Sequence, residues 1–313
     1  MFNAFFQARP RLRAALIGLA VCSPCFVVAG QARAQDTSAP TQAIAPFTSD
    51  RLSVQVIGSG PDVILIPGLA SSREVWRQTA DRLKATHRVH LVQLAGFAGQ
   101  PWSHGDGDFV QPEVNELARY IREVGLDRPA VIGHSMGALS GLLLAQQQPE
   151  LVSRLMSVDS LPFYSAMFGA GVTVEQARAV AGQMTAAIVA ADEAVFRAQQ
   201  EQTANALARD PAMRTTMVEW SMATDRRAMA AALRDVMTTD ARPGLAAMIT
   251  PVTALYAADA DGGPPPALAD AVWSRDYAPL PGVKLIRVEG SRHFIMADQP
   301  ERFAQLVDAF LAQ

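Results

Sequence analysis

Beyond residue 25 this 313-residue chain has no cysteine, and its two, Cys22 and Cys25, both fall inside an apolar N-terminal stretch. A product that loses this stretch can form no disulfide, use no thiol nucleophile and offer no thiolate to a metal. Lysine is equally scarce, with Lys84 and Lys284 alone. No basic stripe runs along the sequence. Affinity for phosphate backbones needs clustered Lys and Arg, so no nucleic-acid partner is expected. The HExxH pair, the P-loop and a Gly-rich dinucleotide fingerprint after a strand are also missing. Neither a metal nor a cofactor is therefore expected.

The first 34 residues differ from the rest. Arg9, Arg11 and Arg13 form a basic n-region, Ala14 to Gly30 is mostly apolar, and Ala32-Arg33-Ala34 offers small residues where a signal peptidase reads. This is the layout of a signal peptide cleaved after Ala34. The apolar run is short for a span of ~20 residues, and Pro24 interrupts it. Val21 before Cys22 argues against a lipoprotein. A periplasmic or secreted protein with no stable membrane span after processing is expected. Removing the four arginines of this segment takes the formal charge from −3 to −7. Residues 35–50, rich in Ala, Thr, Ser and Pro, read as a flexible leader.

From there strands and helices alternate. Strands are expected over Val54–Ile57, Val63–Ile66, Arg88–Leu94, Pro129–Gly133 and Leu155–Val158, and helices over Glu74–Ala85, Gln111–Val124 and Met136–Gln148. The helix over 111–124 places Val114, Leu117, Ala118 and Ile121 on one face. Short apolar strands alternating with helices indicate an α/β fold, a mostly parallel sheet flanked by helices. The alternation stops from about Leu161 to Arg242, where helix formers dominate and nine of the twelve methionines lie between Met156 and Met248. It resumes with strands at Pro251–Ala257 and Val283–Val288 and a closing helix over Pro300–Ala312. The expected organisation is a core over 51–160 and 244–313, with a helical lid over 161–243 above the carboxyl ends of the strands, where open α/β sheets bind ligands.

Gly133-His134-Ser135-Met136-Gly137 matches G-x-S-x-G and falls between an expected strand and an expected helix, the context that gives the motif meaning. Small neighbours let the chain turn sharply there and lift the Ser135 hydroxyl above the sheet. The Met136 amide stands at a helix N-terminus, where it can stabilise an oxyanion. The Leu69 amide, in the loop Ile66-Pro67-Gly68-Leu69-Ala70-Ser71-Ser72, is the expected second donor. A serine needs a base. Of the five histidines (His87, His90, His104, His134, His293), His293 follows the last strand and fits the chain order Ser, acid, His. The acid is expected after the strand 251–257, whose loop lies beside the histidine loop. Asp259 is the first choice there, with Asp261 and, after an earlier strand, Asp159 as alternatives.

These pieces resemble the lidded α/β-hydrolase superfamily: Pro67-Gly68, Leu94-Ala95-Gly96-Phe97-Ala98-Gly99, the Ser135 elbow, the Asp259 loop and Ser291-Arg292-His293-Phe294. The resemblance covers residues 51–160 and 244–313 and implies the fold and a serine-hydrolase triad. Ser135 departs from the Asp that haloalkane dehalogenases and epoxide hydrolases carry at the elbow. Pro67 stands where many relatives have a histidine, and Ala257 where a glycine is frequent.

The expected function is an exported carboxylic-ester hydrolase acting through an acyl-enzyme on Ser135, with a small hydrophobic acyl or ester substrate. Lactonase, amidase, carbon–carbon hydrolase and acyltransferase chemistry fit the same residues. The alternative class is a lidded binding protein without turnover. Met213 and Met217, four apart, share a helix face that either adapts to a ligand or simply packs. Trp102 is either a pocket wall or part of a structural turn.

Overall fold

The computed structural model describes residues 46–313. The expected signal peptide over 1–34, and the leader as far as residue 45, lie outside the described residues. Seven strands, β1 (Leu52–Gly58), β2 (Asp62–Ile66), β3 (Arg88–Leu94), β4 (Ala130–His134), β5 (Arg154–Val158), β6 (Val252–Ala258) and β7 (Lys284–Glu289), form one sheet of order β1-β3-β2-β4-β5-β6-β7. β1 runs antiparallel to β3, and every other pair is parallel. All expected strands are present, displaced by at most two residues at an end.

The helices are α1 (Arg77–Leu83), α2 (Val110–Val124), α3 (Met136–Gln147), α4 (Val174–Ala190), α5 (Glu193–Leu207), α6 (Pro211–Ala223), α7 (Arg226–Thr238), α8 (Pro266–Tyr277), α9 (Ile295–Asp298) and α10 (Pro300–Leu311). The expected helix over 74–85 is divided into a 3₁₀ turn, Arg73–Trp76, and α1. The sequence reading missed α8. Its signals were a proline at the first helical position and the buried Ala269, Trp273 and Tyr277 at intervals of four. No described helix is long and apolar enough to cross a membrane.

The period of two along the strands sorts the core into two layers. Ile64, Ile66 and Val131 join α2, α3 and α8 on one face, while Val63, Leu65 and Ile132 join α1 and α10 on the other. β4 and β6 are buried along their whole length, as parallel strands covered on both faces must be. On α2 the apolar stripe of Val114, Leu117, Ala118 and Ile121 is buried, and the helix stops at Gly125 with φ 73°, the left-handed C-terminal stop for which glycine has no side-chain penalty.

Four helices, α4 to α7, stand between β5 and β6. Each starts on a side-chain cap: Thr173, Asp192, Asp210 and Asp225 accept from the first-turn amides of α4, α5, α6 and α7. They are not equivalent. α7 sinks Ala228, Ala231 and Ala232 into the same core layer as α2 and α3, whereas α4 buries only Ala177 and Ala181.

One carboxyl is trapped inside this packing. Glu113 of α2 is buried against α3, where the Ser140 hydroxyl donates to it at 3.1 Å and its second oxygen has no partner. Burial pushes its pKa from 4.5 up to about 8, with the Ser140 hydrogen bond working in the opposite direction. The folded chain therefore keeps a proton that the unfolded chain releases above 4.5. The stabilisation is fully present below that pH and is lost as pH rises through about 8. The melting temperature of Glu113→Gln, measured against wild type, is expected to climb as the buffer moves from pH 5 to pH 8. Parallel pH profiles for the two proteins would show that Glu113 is ionised in the fold.

Candidate active site

Ser135 links β4 to α3 with φ 54° and ψ −120°, a strained conformation for a residue with a Cβ. Its amide donates to the Val158 carbonyl at 2.9 Å, and its own carbonyl accepts from Ala138 and Leu139 at 2.9 and 3.1 Å. The turn closes because its neighbours have no side chains. A Cβ on Gly133 would lie 2.3 Å from the Gly137 carbonyl oxygen, and one on Gly137 would lie 2.5 Å from those of Ile66 and Pro67. The loop after β2 presses equally close, with the Cβ position of Gly68 only 3.1 Å from Ser135 Cβ. This brings Leu69 beside the nucleophile position. Among the described turn and cap hydrogen bonds, neither the Leu69 nor the Met136 amide donates to a backbone carbonyl. Both are left available to a developing oxyanion.

His293 lies in the loop between β7 and α9. Its backbone carbonyl accepts from His134 Nε2 at 3.0 Å, and the two rings pack 4.6 Å apart. His293 is thus held against the residue that precedes Ser135. Since Nε2 of His134 must be its donor, Nδ1 is left as a buried lone pair without a partner. Burial first, and the nearby His293 second, push the His134 pKa well below its usual value. His134 stays neutral, so it adds no repulsion when its neighbour becomes an imidazolium.

The partner of His293 corrects the sequence reading. Its Nδ1 lies 2.7 Å from Oδ2 of Asp159, the residue after β5. Asp159 Oδ1 accepts from the Ala257 amide at 2.8 Å, and its own backbone has φ 49°. A carboxylate facing Nδ1 makes that nitrogen the N–H donor and leaves Nε2 with the lone pair a base needs. Asp259, the expected acid, faces away. Its buried carboxylate accepts from Arg209 at 2.5 Å and from Arg292 Nε at 2.9 Å, and Oδ1 also accepts from the Asp261 amide at 3.2 Å. Burial works against the charge, but the Arg292 hydrogen bond and the two guanidinium charges outweigh it and hold the pKa below the usual carboxylate range. Asp261 is exposed, 3.9 Å from Arg209. The geometry reverses the expected order because the histidine loop folds back toward β4 and β5, turning the imidazole from β6 toward Asp159.

The remaining sequence candidates lie elsewhere. His90 is buried between Tyr120 and Asp62, at the opposite end of the strands, while His87 and His104 sit on other surface loops. Met213 and Met217 pack in the core layer that holds Phe294. Trp102 stacks on Phe109 and donates to the Gly105 carbonyl, which makes it part of a structural turn. Sequence reading did not single out the apolar group set directly on the Leu69–Ala70 loop: Phe196, Met222 and Met229, from α5, α6 and α7. Among the described residues no group of three or more His, Cys, Asp or Glu could hold a metal ion.

Residues 63–306 match the sequence profile of the Alpha/beta hydrolase family, and the chain belongs to that family. Among curated proteins it is 33% identical over 118 residues to a pimeloyl-[acyl-carrier protein] methyl ester esterase of Vibrio atlanticus, and 36% identical over 115 residues to the enzyme of that name from Aeromonas salmonicida. These alignments take in 38% and 37% of this chain, and only 43% and 44% of the relatives' own lengths. Among solved structures, an enol-lactonase from Burkholderia xenovorans superposes with a TM-score of 0.69 at 15% identity, covering 84% of this chain and 96% of that one. A thermophilic esterase from Thermogutta terrifontis gives 0.67 at 20% identity, covering 83% and 93%. At these identities the shared property is the fold.

The contact between Asp159 and His293 separates Asp159 from Asp261 by experiment. Asp159→Asn is expected to slow reaction of Ser135 with a fluorophosphonate by on the order of a thousandfold or more, because the wrong imidazole tautomer is then held. Asp261→Asn is expected to react as wild type. Equal rates for Asp159→Asn and wild type would remove Asp159 from the site.

Proposed function

We propose that the chain is a carboxylic-ester hydrolase working through an acyl-enzyme on Ser135, exported from the cytoplasm and acting on a small hydrophobic acyl ester. The observation that carries this reading is the Asp159–His293 hydrogen bond at 2.7 Å beside a serine held at φ 54°. The apolar group of Phe196, Met222 and Met229 against Leu69 and Ala70 supports a hydrophobic acyl chain, since it borders the proposed oxyanion loop. The esterase names of the partial relatives point the same way.

In this mechanism Ser135 Oγ attacks the ester carbonyl carbon while His293 Nε2 takes its proton. Asp159 accepts from Nδ1–H and stabilises the imidazolium without being protonated. The Leu69 and Met136 amides hold the oxyanion, a contribution usually larger than any other single one. The tetrahedral intermediate collapses by breaking the bond to the alcohol, which receives the proton from His293. Water then attacks the acyl-serine with His293 as base. The carboxylic acid leaves and Ser135 regains its proton. Neutral His134, behind the base, leaves the imidazolium charge to Asp159 alone.

Treating the purified protein with a fluorophosphonate and mapping the adduct by peptide mass spectrometry tests the chemistry. Labelling at Ser135 is expected, and both Ser135→Ala and His293→Ala should abolish it. Aryl esters graded by acyl length then report the acyl preference. Absence of labelling in folded wild type would favour a binding protein on the same fold. Export rests on the N-terminal sequence pattern. Protein recovered from the periplasm or medium should begin at Gln35, and an intact N-terminus in the cytoplasm would count against export.

A further inference from the structure

The histidine loop is held by more than the sheet. Both neighbours of His293 in the chain are bonded to the corner between α5 and α6. The Phe294 amide donates to the Leu207 carbonyl at 3.1 Å. The Arg292 guanidinium donates to the Asn205 carbonyl, and its Nε donates to Asp259. Two carboxylates then serve loop and corner together. Asp298 accepts from the Arg292 amide on Oδ2 at 2.8 Å, and from the Arg209 and Asp210 amides on Oδ1 at 2.8 and 2.9 Å. Asp259 takes Arg292 on one oxygen and Arg209 on the other.

The imidazole itself is tethered at Nδ1 by Asp159 and through its backbone carbonyl by His134. The flanking backbone is held locally by the Ala297 and Asp298 amides, which donate to the Phe294 carbonyl, and toward the insertion by the bonds from 205–210. At that tie Asp259 is 99% buried between its two arginines. Arg209 is the arginine that crosses from the insertion: its side chain is 40% exposed, and its hydrogen bond goes to Asp259, not to His293.

We propose that Arg209 is a positioning residue for His293, acting through Asp259 and Arg292, so that the inserted helices help set the place of the base. This rests on the hydrolase reading above. Misplacement of a reacting group by an ångström can cost up to a hundredfold in rate, so a partial loosening should cost about tenfold.

The test measures kcat and KM on a short aryl ester, at a temperature where circular dichroism shows each variant folded. Arg209→Ala is expected to lower kcat about tenfold with KM unchanged, and Arg209→Lys to restore most of it. Arg178→Ala is the comparison. Arg178 pairs with Glu175 on the exposed side of α4, within the insertion but away from the histidine loop and from the apolar group at Leu69, and its kcat should stay at the wild-type value. If Arg209→Ala does not fold, Arg209→Gln, with an uncharged amide in place of the guanidinium, takes its place and should show a smaller loss of kcat that Lys again restores. Wild-type kcat in the Arg209 variant, a loss confined to KM, or an equal loss in Arg178→Ala overturns the proposal. Failure of the wild type itself to hydrolyse the ester or take the fluorophosphonate would instead overturn the hydrolase reading.

Discussion

The strained turn at Ser135 is the constraint around which the site is arranged. A non-glycine residue at φ 54° costs on the order of 1–3 kcal/mol and persists only where its surroundings leave no alternative. Here they leave none. β4 is buried from end to end and bonded on both sides, to β2 and to β5. Gly137 rests against the carbonyls of Ile66 and Pro67, and Gly68 rests against Ser135. The same contacts that force the turn fix the first amide of α3 relative to the loop after β2. The Ser135 side chain and the Leu69 and Met136 amides are therefore placed by one packing solution.

Electrostatics then divides similar groups into different roles. Asp159, Asp259 and Asp261 are the same side chain in three surroundings. Asp159 faces one imidazole and one backbone amide. Asp259 is saturated by two guanidiniums, which leaves it no free oxygen for a histidine. Asp261 is in water. The two histidines divide likewise: burial keeps His134 neutral, while a carboxylate stands ready for His293.

Most of the fold could be read from the sequence because short apolar runs alternate with helical segments outside residues 161–242. The placing of Ser135 at a strand-to-helix turn and of His293 in the loop after the last strand was legible too, since both are local signals. The carboxylate that faces His293 was not. Asp159 and Asp259 both follow a strand and both satisfy the order Ser, acid, His. What separates them is the direction in which the 290–294 loop folds back, and that depends on contacts with residues 205–210 and with His134. Arg292 and Arg209, which occupy Asp259, carry no motif. The positive φ at Asp159, a mark of a backbone held for a purpose, has no signature in a residue that also tolerates ordinary turns. α8 was missed for a different reason: its proline-rich start reads as loop, although its buried residues keep helical spacing.

The burial of α7 has a bearing on how such proteins could be recombined. Its alanines share a core layer with α2 and α3, and the Asp225 amide ahead of it is bonded to the Gly96 carbonyl in the loop after β3. The last of the inserted helices is therefore structurally part of the sheet's own wall. Exchanging the whole stretch between β5 and β6 for that of a relative would open the interior of the recipient. An exchange that ends before Asp225 would leave that wall standing, but it would still replace Ala204, Met217 and Val218, which pack in the other core layer, and the 205–210 corner bonded to the histidine loop. The part that can be exchanged without touching either layer of the sheet thus narrows to α4, which buries only Ala177 and Ala181.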